Sequence, residues 1–173
     1  MGITKTFRRK NIRLPRPNYS GHQWYFLTAC TQNRIPHLQG AELVSQHLVL
    51  LAEQAQRGSF NVPAYCFMPD HLHLLVSGLK DDSNCLAFMR TFKQRSGLAF
   101  WRSSEGRLWQ HKFYDHILRP QDQWESVAYY IWMNPVRKGL CARPEEWPFS
   151  GSQTMDWKTL MRAPCRQWSP PWK

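Results

Sequence analysis

Two clusters of residue types in this 173-residue chain could do chemistry. The first is Pro69-Asp70-His71-Leu72-His73-Leu74-Leu75-Val76. On a β-strand, His71 and His73 point to one face while Leu72, Leu74 and Val76 point to the other and enter a core. Two imidazoles presented together suit two cis metal ligands; a pair of polar strand residues facing solvent fits the same spacing. The second cluster is Tyr129-Tyr130-Ile131-Trp132-Met133-Asn134-Pro135. On a helix whose inward stripe is Trp124, Val127, Ala128 and Ile131, Tyr130 and Asn134 are i, i+4 neighbours on one flank, and Tyr129 points toward solvent. A packing tyrosine and a helix-end asparagine are the plain reading of that segment alone. Taken together, two imidazoles and a carboxamide oxygen make a mixed N,O site with open positions. Such a site suits Mg²⁺ or Mn²⁺ holding a phosphate, with a tyrosine one helical turn away as nucleophile. With 12 Asp+Glu and no acidic cluster, a carboxylate-bound two-metal nuclease fits poorly.

These side chains need elements to position them. The aromatic, β-prone run within His22 to Thr31 predicts a first strand. Leu43, Val44, Leu48, Leu51, Ala52 and Ala55 recur at helical spacing, with Gly58 as C-cap. Phe60 to Phe67 and His71 to Ser77 predict a hairpin around Met68-Pro69-Asp70. A second helix, capped by Ser83 or Asn84, runs to about Arg102. Its inward residues are Leu86, Phe88 or Met89, Phe92 and Leu98, and Arg90, Lys93 and Arg95 face outward. A strand over Lys112 to Leu118 follows, then a third helix opened by Gln121 or Asp122 and ended or kinked by Pro135. The order strand, helix, strand, strand, helix, strand, helix predicts an α+β, ferredoxin-like sandwich, its antiparallel sheet carrying helices mainly on one face. Residues 1–20 read as a basic arm, 21–152 as the domain, and 153–173 as an irregular Trp/Pro-rich tail that packs over the domain or over a ligand.

The chain carries 23 Lys+Arg against 12 Asp+Glu, a formal charge of +11, which points to a polyanion partner and strongly salt-dependent binding. The five cysteines are scattered and form no Cys-x-x-Cys pair, so neither a disulfide framework nor a zinc knuckle is indicated. No apolar run is long enough to span a membrane and no secretory signal opens the chain, so a cytoplasmic protein is expected.

Met68-Pro69-Asp70-His71-Leu72-His73, Trp109-Gln110-His111-Lys112-Phe113-Tyr114-Asp115-His116, Tyr130-Ile131-x-x-Asn134-Pro135-Val136 and Trp147-Pro148-Phe149-Ser150 occur in this order. From about Gln23 to Ser152 the chain resembles the REP-associated tyrosine transposases, relatives of the single-tyrosine transposases in the HUH nuclease superfamily. The resemblance implies a ferredoxin-like fold, a divalent metal, and cleavage of single-stranded DNA beside a hairpin from a repetitive extragenic palindrome. It further implies that His71 and His73 are metal ligands, Tyr130 the nucleophile, and Asn134 the third polar ligand, where relatives often place Gln. Cleavage would leave a 5′-phosphotyrosine and a 3′-OH and conserve bond energy for rejoining. Asp115 and His116 are candidates for the proton, or an ordinary strand pair.

Arg90 and Lys93, and the arm residues Lys5, Arg8, Arg9, Lys10, Arg13 and Arg16, could follow phosphates, with Trp24 and Tyr25 stacking on bases. Relatives that exchange the tyrosine helix are dimers, and a monomer is the expectation for the REP-associated branch. Two alternatives remain: a non-catalytic hairpin-binding protein of the same fold, and a water-using phosphodiesterase in which Tyr130 is structural.

Overall fold

Alternation along β1 (Trp24–Cys30) organises the whole domain, because its odd-numbered and even-numbered residues feed two separate cores. A computed structural model describes residues 19–104, 106–162 and 168–171, so the six cationic arm residues lie outside the described part. After β1 come α1 (Ala41–Gly58), β2 (Phe60–Met68), β3 (His71–Gly78), α2 (Cys85–Ser103), β4 (Tyr114–Ile117) and α3 (Trp124–Trp132). Then follow α4 (Asn134–Arg137), β5 (Ser150–Gly151) and α5 (Trp157–Met161).

The sheet has the order β4-β1-β3-β2-β5, and every pairing is antiparallel. The first four strands and the two long helices thus form the expected ferredoxin-like βαββαβ arrangement, and β5 extends the β2 edge. On one face Tyr25, Leu27, Ala29, Leu72, Leu74 and Val76 pack against α1 through Val44 and Leu51, and against α2 through Phe88, Met89 and Phe92. On the other, Phe26, Ala64, Cys66 and Leu75 pack against Val127, Ala128, Ile131 and Trp132 of α3. The two long helices share one face, and the shorter α3 covers the other.

Three local details differ from the sequence reading. Gly58 is the last helical residue, and Ser59 takes the left-handed cap with φ 56° and donates its N–H to the Ala55 and Gln56 carbonyls. Leu98 is 49% exposed, while Phe100 is buried in its place. The stripe on α2 runs Phe88, Phe92, Ser96, Phe100, and Leu98 is about 200° from Phe100 around the axis. Asp122 does not open α3: its carboxylate accepts from the Arg119 N–H and closes the preceding turn. Pro135 kinks the chain into α4, as expected.

The Trp-rich end packs on the α3 side. Trp157 meets Trp132 at 5.2 Å between ring centroids, and Trp168 meets Phe26 at 5.4 Å. The four described cysteines, Cys30, Cys66, Cys85 and Cys141, are free thiols.

Candidate active site

Strand pairing brings the histidines to the middle of the sheet. β3 runs between β1 and β2, and the register sets His73 opposite Thr28 and His71 opposite Cys30. Both imidazoles therefore share the α3 face with Phe26. Their Nε2 atoms stand 3.1 Å apart, and each Nδ1 is held from behind. His71 Nδ1 donates to Asp70 Oδ1 at 2.5 Å, and His73 Nδ1 meets Thr28 Oγ1 at 2.8 Å. A carboxylate on one ring nitrogen fixes the tautomer and leaves the other nitrogen's lone pair free to ligate. Asp70 is itself tied to Arg34 at 3.2 Å.

The electrostatics keep this pair neutral. Burial lowers the His71 pKa, and Asp70 only partly opposes it. Burial, the neighbouring His71 and the cations Arg137 and Arg34 hold His73 well below the ordinary histidine value. Burial would raise Asp70, but its bonds to His71 and Arg34 bring it below the usual carboxylate value. Neutral imidazoles are the ligating form.

The tyrosine contacts the same phenyl ring as His73. Phe26 contacts His73 at 5.4 Å and Tyr130 at 6.0 Å between centroids, so the nucleophile candidate and one of the two histidines share a phenyl neighbour. Arg137 places its guanidinium 3.9 Å from the centroid of the Tyr130 ring and donates to the Tyr130 carbonyl at 2.7 Å. Burial pushes the Tyr130 phenol up from its ordinary value, and Arg137 pulls it back toward the phenolate. Tyr129 is more exposed than its neighbour, in line with the helix geometry. Asn134 Nδ2 donates to the Tyr130 and Ile131 carbonyls, both at 3.1 Å, and ties off the end of α3. Its amide nitrogen is thereby committed, and Oδ1 is the atom left for a ligand. Among the described residues, no group of three or more His, Cys, Asp or Glu is assembled for a metal.

Other sequence candidates are placed elsewhere. Tyr25 is fully buried on the α1/α2 face, stacked with Tyr19, so it cannot stack on a base; strand alternation put it there. Trp24 lies on the site face but is stacked on Trp124 at 5.2 Å. Asp115 also faces α1/α2, where it accepts from the Tyr19 hydroxyl, so it cannot take a proton from Tyr130. His116 faces the site but pairs with Asp122 at 3.1 Å, and Trp168 stands between it and Tyr130. Asp115 and His116 are thus not a pair, because adjacent strand residues point to opposite faces. Arg90 is exposed on α2, away from the histidines. The Lys93 ammonium is spent on the carbonyls of Gln110, His111 and Lys112, at 2.7, 2.9 and 3.3 Å.

Thr28, Asp70, Arg137 and Trp168 escaped the sequence reading. Asp70 adjoins His71 and Arg137 follows Tyr130 by two helical turns, which were usable signals; Thr28 is legible only from register.

The fold and its family match are those of a DNA transposase. The family described as Transposase IS200 like matches residues 20–134, and the chain belongs to that family. The REP-associated tyrosine transposase of Escherichia coli K12 is 23% identical over 130 residues, covering 75% of this chain and 76% of that protein. A Haemophilus influenzae relative that carries the same designation provisionally is 26% identical over 137 residues, covering 73% and 77%. A solved REP-associated tyrosine transposase bound to a REP hairpin superposes with a TM-score of 0.63 at 23% identity, covering 84% of this chain and 81% of that one. The resemblance drawn from the sequence motifs holds in these comparisons.

Proposed function

We propose that this transposase is a metal-dependent single-strand DNA transesterase that cuts and rejoins DNA beside palindromic hairpins of the REP type. The observation that carries it is the histidine pair, whose Nε2 atoms stand 3.1 Å apart, with the buried His73 and Tyr130 both in contact with Phe26. The hairpin partner is supported by the solved relative in complex with one and by the excess of basic residues here.

The donor set fits a divalent cation, Mg²⁺ or Mn²⁺, held by His71 Nε2, His73 Nε2 and Asn134 Oδ1, with the remaining positions open to water and phosphate. Bound there, the ion would neutralise charge on the scissile phosphate. Asp70 holds His71 in the ligating tautomer, and Thr28 orients the ring of His73. Tyr130 Oη attacks phosphorus in line, the P–O3′ bond breaks, and the departing O3′ is protonated to a 3′-OH. The 5′-phosphate stays on Tyr130 until another 3′-OH reverses the step. Arg137 steadies the tyrosine ring and favours its phenolate.

The test is incubation with labelled hairpin oligonucleotides and Mn²⁺ or Mg²⁺, resolved on a denaturing protein gel. A metal-dependent covalent band, absent from Tyr130→Phe and His71→Ala, is expected. Binding without any adduct would instead favour a hairpin-binding protein, and cleavage surviving Tyr130→Phe would move the nucleophile to water.

A further inference from the structure

An open surface cavity of about 490 Å³ lies between α2 and the loop that follows it, on the side of the molecule away from α3. Its rim carries Trp101, at 64% exposure the most exposed large apolar side chain among the described residues. Beside it stand the exposed Arg107 and His111, with Gln94 on the wall, and no described lining residue is acidic. The floor is rigid: Trp109 is 4% exposed and its indole N–H donates to Ser96 Oγ at 2.8 Å. The wall is rigid too, since Lys93 gathers three consecutive carbonyls of residues 110–112.

Gly97 keeps the space open. A Cβ there would meet only the Trp109 ring, at 3.8 Å, so the position is not glycine for want of room. A glycine inside a helix is unfavourable relative to alanine, and here its absent side chain leaves the cavity empty.

Hydrogen bonds tie the wall of the cavity to the end of β1 beside the histidines. The Gln110 N–H donates to the Cys30 carbonyl at 2.9 Å, and Gln110 Nε2 donates to the Thr31 carbonyl at 3.1 Å. Cys30 pairs with His71 in the ladder, and the Thr31 N–H donates to the Asp70 carbonyl at 2.9 Å. The wall of the cavity is therefore bonded to the strand end that carries the ligand pair.

We propose that this cavity binds an unpaired nucleotide of the DNA strand that leads to the histidine–tyrosine face, with Trp101 stacking on the base and Arg107 meeting its phosphate. An aromatic face, a cation and an amide around a base-sized space are the chemistry that holds single-stranded nucleic acid. The inference rests on the single-strand DNA reading above and adds a subsite to it.

The test compares hairpin oligonucleotides with and without an unpaired oligothymidylate tail by fluorescence anisotropy, in chelator so that no cleavage intervenes. The wild type binds the tailed hairpin more tightly than the blunt one. In Trp101→Ala that ratio falls by about tenfold, the cost of one lost base stack. Gly97→Leu, which fills the cavity with a better helix former, abolishes the ratio while the chain stays folded by circular dichroism. Excess thymidine monophosphate that competes away the tail's contribution identifies the cavity as a site for a free nucleotide rather than for the strand. Equal affinity for both hairpins in the wild type, or an unchanged ratio in both variants, overturns the proposal. If neither hairpin binds, hairpin recognition has failed, and binding of free oligothymidylate by wild type against Trp101→Ala decides the cavity by itself.

Discussion

At the histidine pair, hydrogen bonding and burial act on different properties of the same two rings. Asp70 sets the tautomer of His71 and Thr28 positions His73, while burial lowers the pKa of both imidazoles. Replacing Asp70 by Asn removes the carboxylate that orients His71. Metal affinity is expected to fall by about 10- to 100-fold, read from the Mn²⁺ dependence of adduct formation. Burial also depresses the pKa of His47, whose Nδ1–H donates to the Leu43 carbonyl. A histidine whose folded pKa is lowered binds its proton more readily in the unfolded chain, so its contribution to stability is full above the unfolded pKa and is lost as pH falls. With three such residues, the urea midpoint should drop as pH falls below about 6.5. A midpoint that rises on acidification would contradict the buried, neutral assignment.

Just beyond the third helix, the first residue of α4 has two duties. Asn134 ties off the carbonyls of Tyr130 and Ile131, and its oxygen completes the proposed donor set. Asn134→Ala should cost about 1 kcal/mol of stability for each lost bond and also weaken the metal dependence of the adduct. If stability alone changes, Asn134 is only a cap. Helix α2 offers a cleaner contrast, because its buried stripe differs from the one periodicity suggested. Leu98→Glu should shift stability by less than about 0.5 kcal/mol, while Phe100→Ala should cost about 3 kcal/mol, both measured by chemical denaturation.

Over the molecule as a whole, charge and architecture divide the work. The net +11 is spread over a chain in which Glu53 pairs with Arg95, Asp70 with Arg34 and His71, Asp81 with His22, Asp122 with His116 and Glu146 with Arg143. Hairpin affinity should therefore fall steeply between low and physiological salt, with a linear dependence on the logarithm of salt concentration. Flat binding across that range would rule out phosphate contacts as the source of affinity. Among the described residues no helix is long and apolar enough to cross a membrane.

The order of elements, the hairpin around Pro69-Asp70, the inward stripe of α3 and the pairing of Tyr130 with Asn134 were all legible in the sequence. Each rests on a local period, two for strands and 3.6 for helices, that apolar residues display directly. The same local rule placed His71 and His73 together. What it could not place were residues whose partners come from distant parts of the chain. Thr28 supports His73 only because β1 pairs with β3 in one register, and Tyr25 and Asp115 are lost to the site because that register turns them toward α1 and α2. Lys93 reads as an outward cation on a helix, yet three carbonyls of a later loop converge on it. Local spacing determines which way a side chain leaves its own element; only the packing of one element on another decides what it meets.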